Sequence, residues 1–219
     1  MSARNGSEPN RLERRKARTR AALITAAQSL LAEGKLNVPI LEITQAADVG
    51  MGSFYNHFQS REELYHFAVE EALDRHGALL DTLCEDIDDP AQVFAQSFRL
   101  TGRLHRMSPT LSKVLLNDGL SLATSDKGLA PRARRDIEEA VKAGRFDVRD
   151  PELAMTIVAG ATLCLGRLLH DQPERDDAEA TDEVVENLLR MFGIPPEEAR
   201  EICQRPLPAF ATPEDGTAA

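Results

Sequence analysis

The sequence predicts an all-α protein, and two observations lead to that prediction. Residues with high helix propensity, above all Ala, Leu, Glu and Arg, are abundant among the 219 residues, and apolar residues recur at helical spacing. Runs of β-branched residues that alternate with polar ones, as strands require, are missing from the sequence. A content of 42% hydrophobic residues allows a sizeable core, in one large domain or two small ones.

The first three helices are predicted between Arg11 and Phe58. One apolar face of the first helix repeats at helical spacing, at Leu23, Ala26, Ala27, Leu30 and Leu31. Gly34 ends this helix, and Pro39 suits the first turn of the second. Asp48-Val49-Gly50 then separates the second helix from a third segment, Met51 to Phe58. Because a tight turn joins the last two, the three segments predict a helix-turn-helix unit.

A capping box opens the fourth helix. Ser60 and Glu63 have the spacing at which both side chains satisfy free backbone N–H groups, so this helix is predicted from Arg61 to about Leu83. No Gly-, Pro- or Ser-rich linker follows the three-helix unit, so the helix itself is expected to connect it to the rest. With Asn117-Asp118-Gly119 interpreted as a helix end, further helices are predicted at Pro90–Arg106, Pro109–Asn117, Leu129–Ala143, Pro151–His170, Asp182–Phe192 and Pro196–Gln204.

Charge is distributed unevenly along the chain. The net charge is −10, yet residues 1–60 hold eight Lys or Arg against five acids, and the remainder holds 18 basic against 31 acidic residues. A basic N-terminal part can face phosphate while an acidic remainder keeps the protein soluble. The basic run Arg11–Arg20 on its own would suggest a solvated helix face; directly before a helix-turn-helix it indicates DNA contact.

Cysteine use and hydropathy indicate the compartment. The longest apolar run, Leu153 to Gly166, spans 14 residues, which is too short to cross a membrane. Cys84, Cys164 and Cys203 are odd in number and widely spaced, which fits neither a disulfide framework nor a metal-ligand cluster. We therefore expect a cytoplasmic protein with no membrane segment, no bound metal and no cofactor.

The segment from Thr19 to Leu64 carries a series of motifs. In chain order they are Thr19-Arg20, Ala26-Ala27, Leu30, Gly34, Glu42-Ile43, Ala47-x-Val49, Gly52-Ser53-Phe54-Tyr55-Asn56-His57-Phe58 and Ser60-Arg61-Glu62-Glu63-Leu64. In these motifs the chain resembles the TetR family of bacterial transcriptional regulators. Phe54 and Phe58, four residues apart, share a face that can dock the third helix onto the first two.

The resemblance implies a set of DNA-contacting residues. Met51 and Ser53 are implied to reach base edges, and Tyr55 and His57 to contact phosphates. Asn56 can pair with adenine if it faces the groove. The whole candidate set is Arg18, Arg20, Met51, Ser53, Tyr55, Asn56, His57 and Arg61.

Four positions depart from the family pattern. Asp48 stands at the turn position where the family usually has Gly, and Asp adopts a left-handed conformation less easily. Gly50 replaces a capping Ser, at a cost on the order of a few tenths of a kcal/mol. Val38-Pro39 stands where a capping Thr is common, and Met51 replaces a frequent Lys. We expect these changes to affect DNA affinity and sequence preference but not the fold.

One helix after the helix-turn-helix offers candidate ligand-binding residues. They lie on one stripe that mixes aromatic and polar side chains: Phe94, Phe98, Thr101 and His105. Such a stripe could line a cavity for a small molecule, or it could equally be core with His105 near an edge. A second stripe on this helix is expected to be exposed and paired with acids: Arg99, Arg103 and Arg106.

A dimer interface is predicted on two later helices. The helix Pro151–His170 is apolar almost all round, and its small residues permit close approach. With the apolar face of a following helix it suggests a two-fold four-helix interface, which is also where the family dimerises; the alternative is an ordinary buried helix. The predicted interface residues are Ile157, Gly160, Ala161, Leu165, Val185, Leu188 and Leu189.

These predictions define three segments and two function classes. Residues 1–62 form a basic arm and DNA-binding domain, 63–205 an effector-binding and dimerisation domain, and 206–219 a disordered tail. The favoured function is a homodimeric regulator, a repressor that a partly apolar small molecule releases from a palindromic operator in double-stranded DNA. The alternative is a helical metal- or cofactor-dependent enzyme, because Glu63 and His66 form half of a di-iron motif.

Overall fold

The computed structural model describes residues 11–209, which fold into ten helices. They are α1 (Arg11–Ala32), α2 (Ile40–Ala46), α3 (Met51–Phe54), α4 (Arg61–Leu83), α5 (Pro90–Met107), α6 (Pro109–Ala123), α7 (Ala130–Lys142), α8 (Pro151–Asp171), α9 (Asp177–Met191) and α10 (Pro196–Gln204). No strand occurs in this described range, and the predicted all-α class is confirmed. The expected arm over residues 1–10 and residues 210–219 of the expected tail 206–219 lie outside the described residues.

Two compact units divide the chain within α4. The first unit, called the head, ends at Ala68, and the second, called the body, begins at Val69. The division lies inside this helix, a few residues after the start near residue 62 that the sequence suggested. α4 is therefore shared by both units along the chain, as expected of a connecting helix.

Local signals fix the ends of the head helices. After α1, Gly34 has φ 78°, and the N–H groups of Lys35 and Gly34 donate to the carbonyls of Leu30 and Leu31 at 2.8 and 3.0 Å. This hydrogen-bond pair is the Schellman motif that a left-handed glycine permits. Pro39 is the N-cap residue of α2, one position earlier than expected.

The predicted capping box is present at the start of α4, with one variation. The Glu63 N–H donates to Ser60 Oγ at 3.1 Å, as expected. The Glu63 carboxylate accepts from the N–H of Gln59, however, and not from that of Ser60. Both end groups of the helix are still satisfied, so α4 begins at Arg61 as predicted.

The body has one large core to which α5, α7, α8, α9 and α10 contribute. Three of these helices begin at an aspartate whose side chain accepts backbone N–H groups: Asp89 before α5, Asp150 before α8 and Asp176 before α9. The buried aromatic rings of the core are Phe94, Phe98, Phe146 and Phe192. Phe94 meets Phe146 and Phe192 edge-on, at centroid distances of 5.4 and 5.8 Å.

Two helix ends and one exposed stripe differ from expectation. α6 continues through Gly119 to Ala123, because this glycine lies against Leu163 of α8: an added Cβ would be 2.4 Å from Leu163 Cδ2. α9 begins at Asp177, five residues earlier than expected, since Asp176 caps it by accepting from the Glu179 N–H at 2.8 Å. Arg99, expected to be exposed, is 6% exposed, although it is paired with an acid as predicted.

Candidate DNA-binding surface and effector cavity

The turn between α2 and α3 contains a strained residue. Asp48 has φ 51°, in the left-handed region that glycine adopts without cost. The N–H groups of Asp48 and Val49 close the turn on the carbonyls of Gln45 and Thr44, at 3.1 and 2.9 Å. The expected left-handed position is thus confirmed, and it holds an acid next to the recognition helix. Gly50, the N-cap of α3, supplies no side-chain hydrogen bond, as the sequence implied.

α3 ends at Phe54, four residues before the end of the predicted segment Met51–Phe58, and the helix with the turn that follows it separates a buried side from an exposed one. Phe54 and Phe58 are 0% and 1% exposed, so the prediction that both are core residues is confirmed. Tyr55 and Met51 are 63% and 47% exposed. The remaining candidates of this segment divide into exposed Asn56 and half-buried Ser53 and His57. The side chains of this segment that are implied to contact DNA are therefore all at least partly accessible.

Basic side chains lie beside this surface. The pKa of His57 is lowered from its ordinary value, first by partial burial and then by the positive charges of Arg20 and Lys16. Arg20 and Lys16 of α1 therefore bring positive charge close to His57, which is itself neutral at pH 7. Lys16 was not among the predicted contact residues, although its place four positions before Arg20 on one helix was a usable signal.

The other basic candidates have different surroundings. Arg18 is exposed. The Arg20 guanidinium lies over the rings of Phe58 and Phe67, 5.2 and 4.6 Å from their centroids, so it also supports the core. Arg61 pairs with Glu62 at 2.8 Å and donates to the Val38 carbonyl at 3.4 Å. Glu62 partly neutralises the charge of Arg61, so Arg61 is less suited to contact a phosphate.

The body contains a partly enclosed apolar cavity with walls from α4, α5, α6, α7 and α8. The volume of this cavity is about 110 Å³. Three of the four predicted ligand-binding residues, Phe94, Phe98 and Thr101, line it. The sequence did not indicate the other walls, which include Leu73, Leu80, Leu115, Leu122, Met155, Val158 and Leu163.

One side of the cavity is polar. Asp136 is 4% exposed and accepts two hydrogen bonds from Arg135 on its Oδ1 atom, at 2.9 and 3.2 Å. Burial raises the pKa of Asp136, and the Arg135 charge opposes that rise. Arg132 donates to Asp81 at 2.9 Å, and Arg135 donates to the same carboxylate at 2.7 Å. Asp81, Arg132 and Asp136 all line the cavity, and Ser97 adds a hydroxyl.

His105 is not a cavity residue and does not lie near an edge. It is 2% exposed, and its Nδ1 is 2.6 Å from Ser112 Oγ of α6. The prediction that it lines the cavity with Thr101 is therefore corrected. One turn further along α5, the close contact with α8 at Gly166 fills the space around the ring.

The predicted dimer residues divide into two groups. Ile157 and Gly160 are exposed and Ala161 is half-buried, so these residues are accessible to a partner. The others are buried in the core of the chain itself and cannot provide such a surface: Leu165, Val185, Leu188 and Leu189. The helical spacing of apolar residues does not show whether a residue is buried within its own chain or is left for a partner chain to cover.

α8 has an exposed apolar stripe. Its members recur at helical spacing: Leu153, Ile157, Gly160, Cys164 and Leu168. By length and composition α8 is apolar enough to cross a membrane, but 33% of its most apolar window is buried within the protein. One such helix is weak evidence for a membrane span, because core helices of soluble proteins have the same composition.

Among residues 11–209, no group of three or more His, Cys, Asp or Glu side chains is placed to hold a metal ion. Glu63, the carboxylate of the half-motif that suggested a di-iron enzyme, caps α4. The described residues therefore show no second half of the di-iron motif that suggested an enzyme.

Two family models match the chain. Residues 23–67 match "Bacterial regulatory proteins, tetR family", and residues 89–205 match "Tetracyclin repressor-like, C-terminal domain". The second match alone covers more than half of the chain. A comparison with curated protein sequences gave no match.

Solved structures agree with the family models. RolR in complex with resorcinol is 36% identical, with a TM-score of 0.71, over 90% of this chain and 99% of RolR. A tetR family transcription regulator from Shewanella sp. PV-4 is 16% identical, with a TM-score of 0.59, over 81% of this chain and 99% of that protein. FadR from Bacillus subtilis in complex with stearoyl-CoA is 15% identical, with a TM-score of 0.58, over 77% and 97%. The last two show the fold alone.

The motifs of the head, the two family models and the 36% identity with RolR lead to the same assignment. The chain belongs to the TetR family and is a ligand-responsive transcriptional regulator that binds DNA through its N-terminal helix-turn-helix.

Proposed function

We propose that this regulator is a homodimeric, non-enzymatic repressor of the cytoplasm that leaves its operator when a small hydroxylated aromatic molecule enters the body. The observation that carries the proposal is the apolar cavity with a polar side, in a chain 36% identical to a protein solved with resorcinol. The DNA-binding, dimer and effector parts of the proposal rest on different regions of the chain.

The DNA-binding part rests on the exposed face of α3 and the turn after it. Met51 and Ser53 lie in the first turn of α3, where a recognition helix reaches base edges. Tyr55 and His57 lie further along, where a hydroxyl and a ring nitrogen suit phosphate oxygens. Lys16 adds a cation from α1 to the same surface, so we include it with the predicted residues.

The dimer part rests on α8. Five exposed apolar or small residues on one face of a helix are unfavourable in water, and a second copy of the same face covers them symmetrically. Gly160, at the middle of this stripe, has no atom within 4 Å of the position where a Cβ would stand. This open site leaves room for a partner helix. Two heads in a dimer would then occupy the two halves of a palindromic operator.

The effector part rests on the size and the walls of the cavity. A cavity of about 150 Å³ lined by aliphatic and aromatic side chains binds benzene, so about 110 Å³ suits a single small ring. The leucine, valine and phenylalanine walls fit the faces of such a ring. Asp136 Oδ2 can accept from one phenol hydroxyl, and Arg132 or Ser97 can donate to another. A long acyl chain attached to coenzyme A does not fit this volume.

The release mechanism rests on the connecting helix. Leu73, Leu80 and Asp81 of α4 line the cavity, and the first turns of the same helix belong to the head. A ligand hydroxyl on Asp136 Oδ2 adds a donor to a carboxylate that Arg135 holds through Oδ1, and so weakens the pull of that carboxylate on Arg135, which also holds Asp81. The effector thereby favours a different position of α4, and the population shifts away from the DNA-binding form.

The test uses purified full-length protein and DNA from the intergenic region beside its gene. Fluorescence anisotropy is expected to show tight, salt-sensitive binding to a short palindrome, and resorcinol is expected to reverse it. Calorimetry measures resorcinol binding directly. 1,3-Dimethoxybenzene, which keeps the ring but lacks hydroxyl donors, is expected to bind much more weakly.

Matched variants of α7 separate the parts of the proposal. Asp136→Asn is expected to keep DNA binding and lose the response to resorcinol, while Glu138→Gln, at an exposed position of the same helix, is expected to keep both. If no DNA sequence binds more tightly than bulk DNA, the repressor proposal fails. If DNA binds specifically but neither resorcinol nor other small phenols bind to the protein, the effector proposal fails alone.

A further inference from the structure

Three polar side chains from three helices meet inside the body, one turn beyond the cavity. Ser112 of α6 places its Oγ 2.6 Å from His105 Nδ1 of α5 and 2.9 Å from His170 Nε2 of α8. Ser112 is 0% and His105 2% exposed, whereas His170 is half-buried. The three groups form a hydrogen-bonded chain that leads from the surface into the core.

This chain joins α6 to the two helices on which it mainly packs, α5 and α8. Both neighbouring contacts require glycine. A Cβ on Gly166 would stand 2.3 Å from His105 Cε1, and a Cβ on Gly119 would stand 2.4 Å from Leu163 Cδ2. α6 also supplies Leu115 and Leu122 to the cavity wall. Through its hydrogen bonds, the Ser112 hydroxyl therefore holds α6, which forms one wall of the cavity, against α5 and α8.

The protonation states of His105 and His170 decide whether every hydrogen-bonding group of this network has a partner. The serine hydroxyl donates once, so with two neutral rings one ring donates to it and it donates to the other. A proton added to His170 is also accepted, because His170 then donates to Ser112 and Ser112 donates to His105 Nδ1. A second proton makes both rings donors to one oxygen and leaves the Ser112 hydrogen without an acceptor. The network therefore holds no more than one extra proton.

The surroundings also oppose positive charge. The charged groups that face the pair are Arg106 of α5, Lys113 of α6, and Arg167 and Asp171 of α8. Arg167 and Asp171 pair with each other at 2.9 Å, which leaves two cations. A backbone hydrogen bond with Thr162 favours the protonated form of His105, but burial outweighs it. Burial, with the nearby His170, lowers the pKa of His105 to about 4, and burial also lowers the pKa of His170.

We propose that His105, Ser112 and His170 form a proton-sensitive latch that holds α6 against α5 and α8 and that opens at mildly acidic pH. The latch is a property of the body alone and does not depend on the identity of the effector. Its opening would free one wall of the cavity while the other helices of the body remain folded.

The pH range follows from proton linkage. A histidine that is released to water regains its ordinary pKa of 6.5, so the open form takes up protons that the closed form refuses. Because the pKa in the closed form is depressed, the stabilisation by the latch is complete above about pH 6.5 and is lost as the pH falls towards 4. For His105 alone, these two values predict an opening equilibrium about 20-fold more favourable at pH 5 than at pH 7.

Hydrogen exchange of the full-length chain, read by mass spectrometry at pH 7 and pH 5 and corrected for intrinsic exchange rates, tests the latch. Amides of α6 are expected to open about 20-fold more often at pH 5, while those of α9 change much less. If α6 and α9 lose protection together, the acid effect is global unfolding and the latch is refuted. Equal protection of α6 at both pH values also refutes it.

Variants assign the effect to particular groups. Ser112→Ala is expected to raise exchange of α6 already at pH 7, whereas Ser121→Ala, at an exposed position of α6, is not. His105→Asn keeps a polar group near the Nδ1 position and is expected to abolish the pH dependence. His76 is a second buried histidine, whose pKa is also lowered to about 4, and it lies on α4. If His76→Asn abolishes the pH dependence of α6 and His105→Asn does not, the proposal is overturned.

Discussion

The head and the body differ in how far apart their functional residues lie along the chain. In the head, five of the nine residues proposed to contact DNA lie within Met51 to His57, and the other four are basic residues of α1 and α4. In the body, the residues that surround the cavity extend from Glu70 to Leu163 and come from five helices. A recognition surface can therefore be encoded by a few neighbouring residues, whereas a binding cavity needs the whole packed unit.

The arginines show the same difference. In the body they hold the structure: Arg99 binds Asp182 at 2.9 Å, and Arg145 binds Asp89 at 2.8 Å. In the head, Lys16 and Arg18 are exposed on α1. Arg99 and Arg145 thus stabilise the body through internal pairs, whereas Lys16 and Arg18 of the head remain accessible to phosphate.

The largest effect that would separate the two regions is expected from Gly160→Arg. The substitution should leave the fold of one protomer intact, because no atom lies within 4 Å of the new Cβ, but a charged side chain prevents a second α8 from approaching. Sedimentation is expected to show a monomer, and operator affinity to fall about 100-fold as the two half-sites are no longer bound together. Glu138→Arg, at an exposed position of α7, is the control. A dimer that persists with Gly160→Arg would place the interface elsewhere.

A smaller effect compares the two tyrosines of the chain. Tyr55→Phe combined with His57→Ala is expected to weaken DNA binding about tenfold at all sequences with little change in its salt dependence, because the lost phosphate contacts come from a hydroxyl and a neutral imidazole. Tyr65 is buried and donates to the Lys35 carbonyl at 3.2 Å. Tyr65→Phe is therefore expected to lower the free energy of unfolding by about 1 kcal/mol without changing the salt dependence. Unchanged DNA binding in the first variant would contradict the assigned surface.

The smallest effect concerns the turn of the head. Asp48→Gly is expected to stabilise the head by about 0.5–1 kcal/mol, because φ 51° is unstrained for glycine. It should also tighten DNA binding a few-fold, since a carboxylate next to the recognition helix is removed. Asp48→Asn removes the charge alone and is expected to tighten binding with little change in stability. Thermal unfolding and anisotropy measure the two effects, and equal results for both variants would rule out backbone strain as a cause.

The sequence by itself determined the helical class, the helix-turn-helix and both ends of α4. These features depend on residues within about four positions of one another: the capping box of Ser60 and Glu63, and the shared face of Phe54 and Phe58. Local hydrogen bonds and local packing decide such features, and the printed order of residues contains that information.

Only the tertiary structure decided the roles of the residues in the body. The sequence around Gly119 suggested a helix end, but Gly119 lies inside α6, where it is in close contact with Leu163. Leu165 and Leu188 belong to an apolar face that suggested a dimer interface, and the chain buries them in its own core. His105 continues the stripe of Phe98 and Thr101, and a contact from α6 removes it from the cavity. Periodicity identifies an apolar face, but the element that covers the face is set by contacts between residues far apart in the chain.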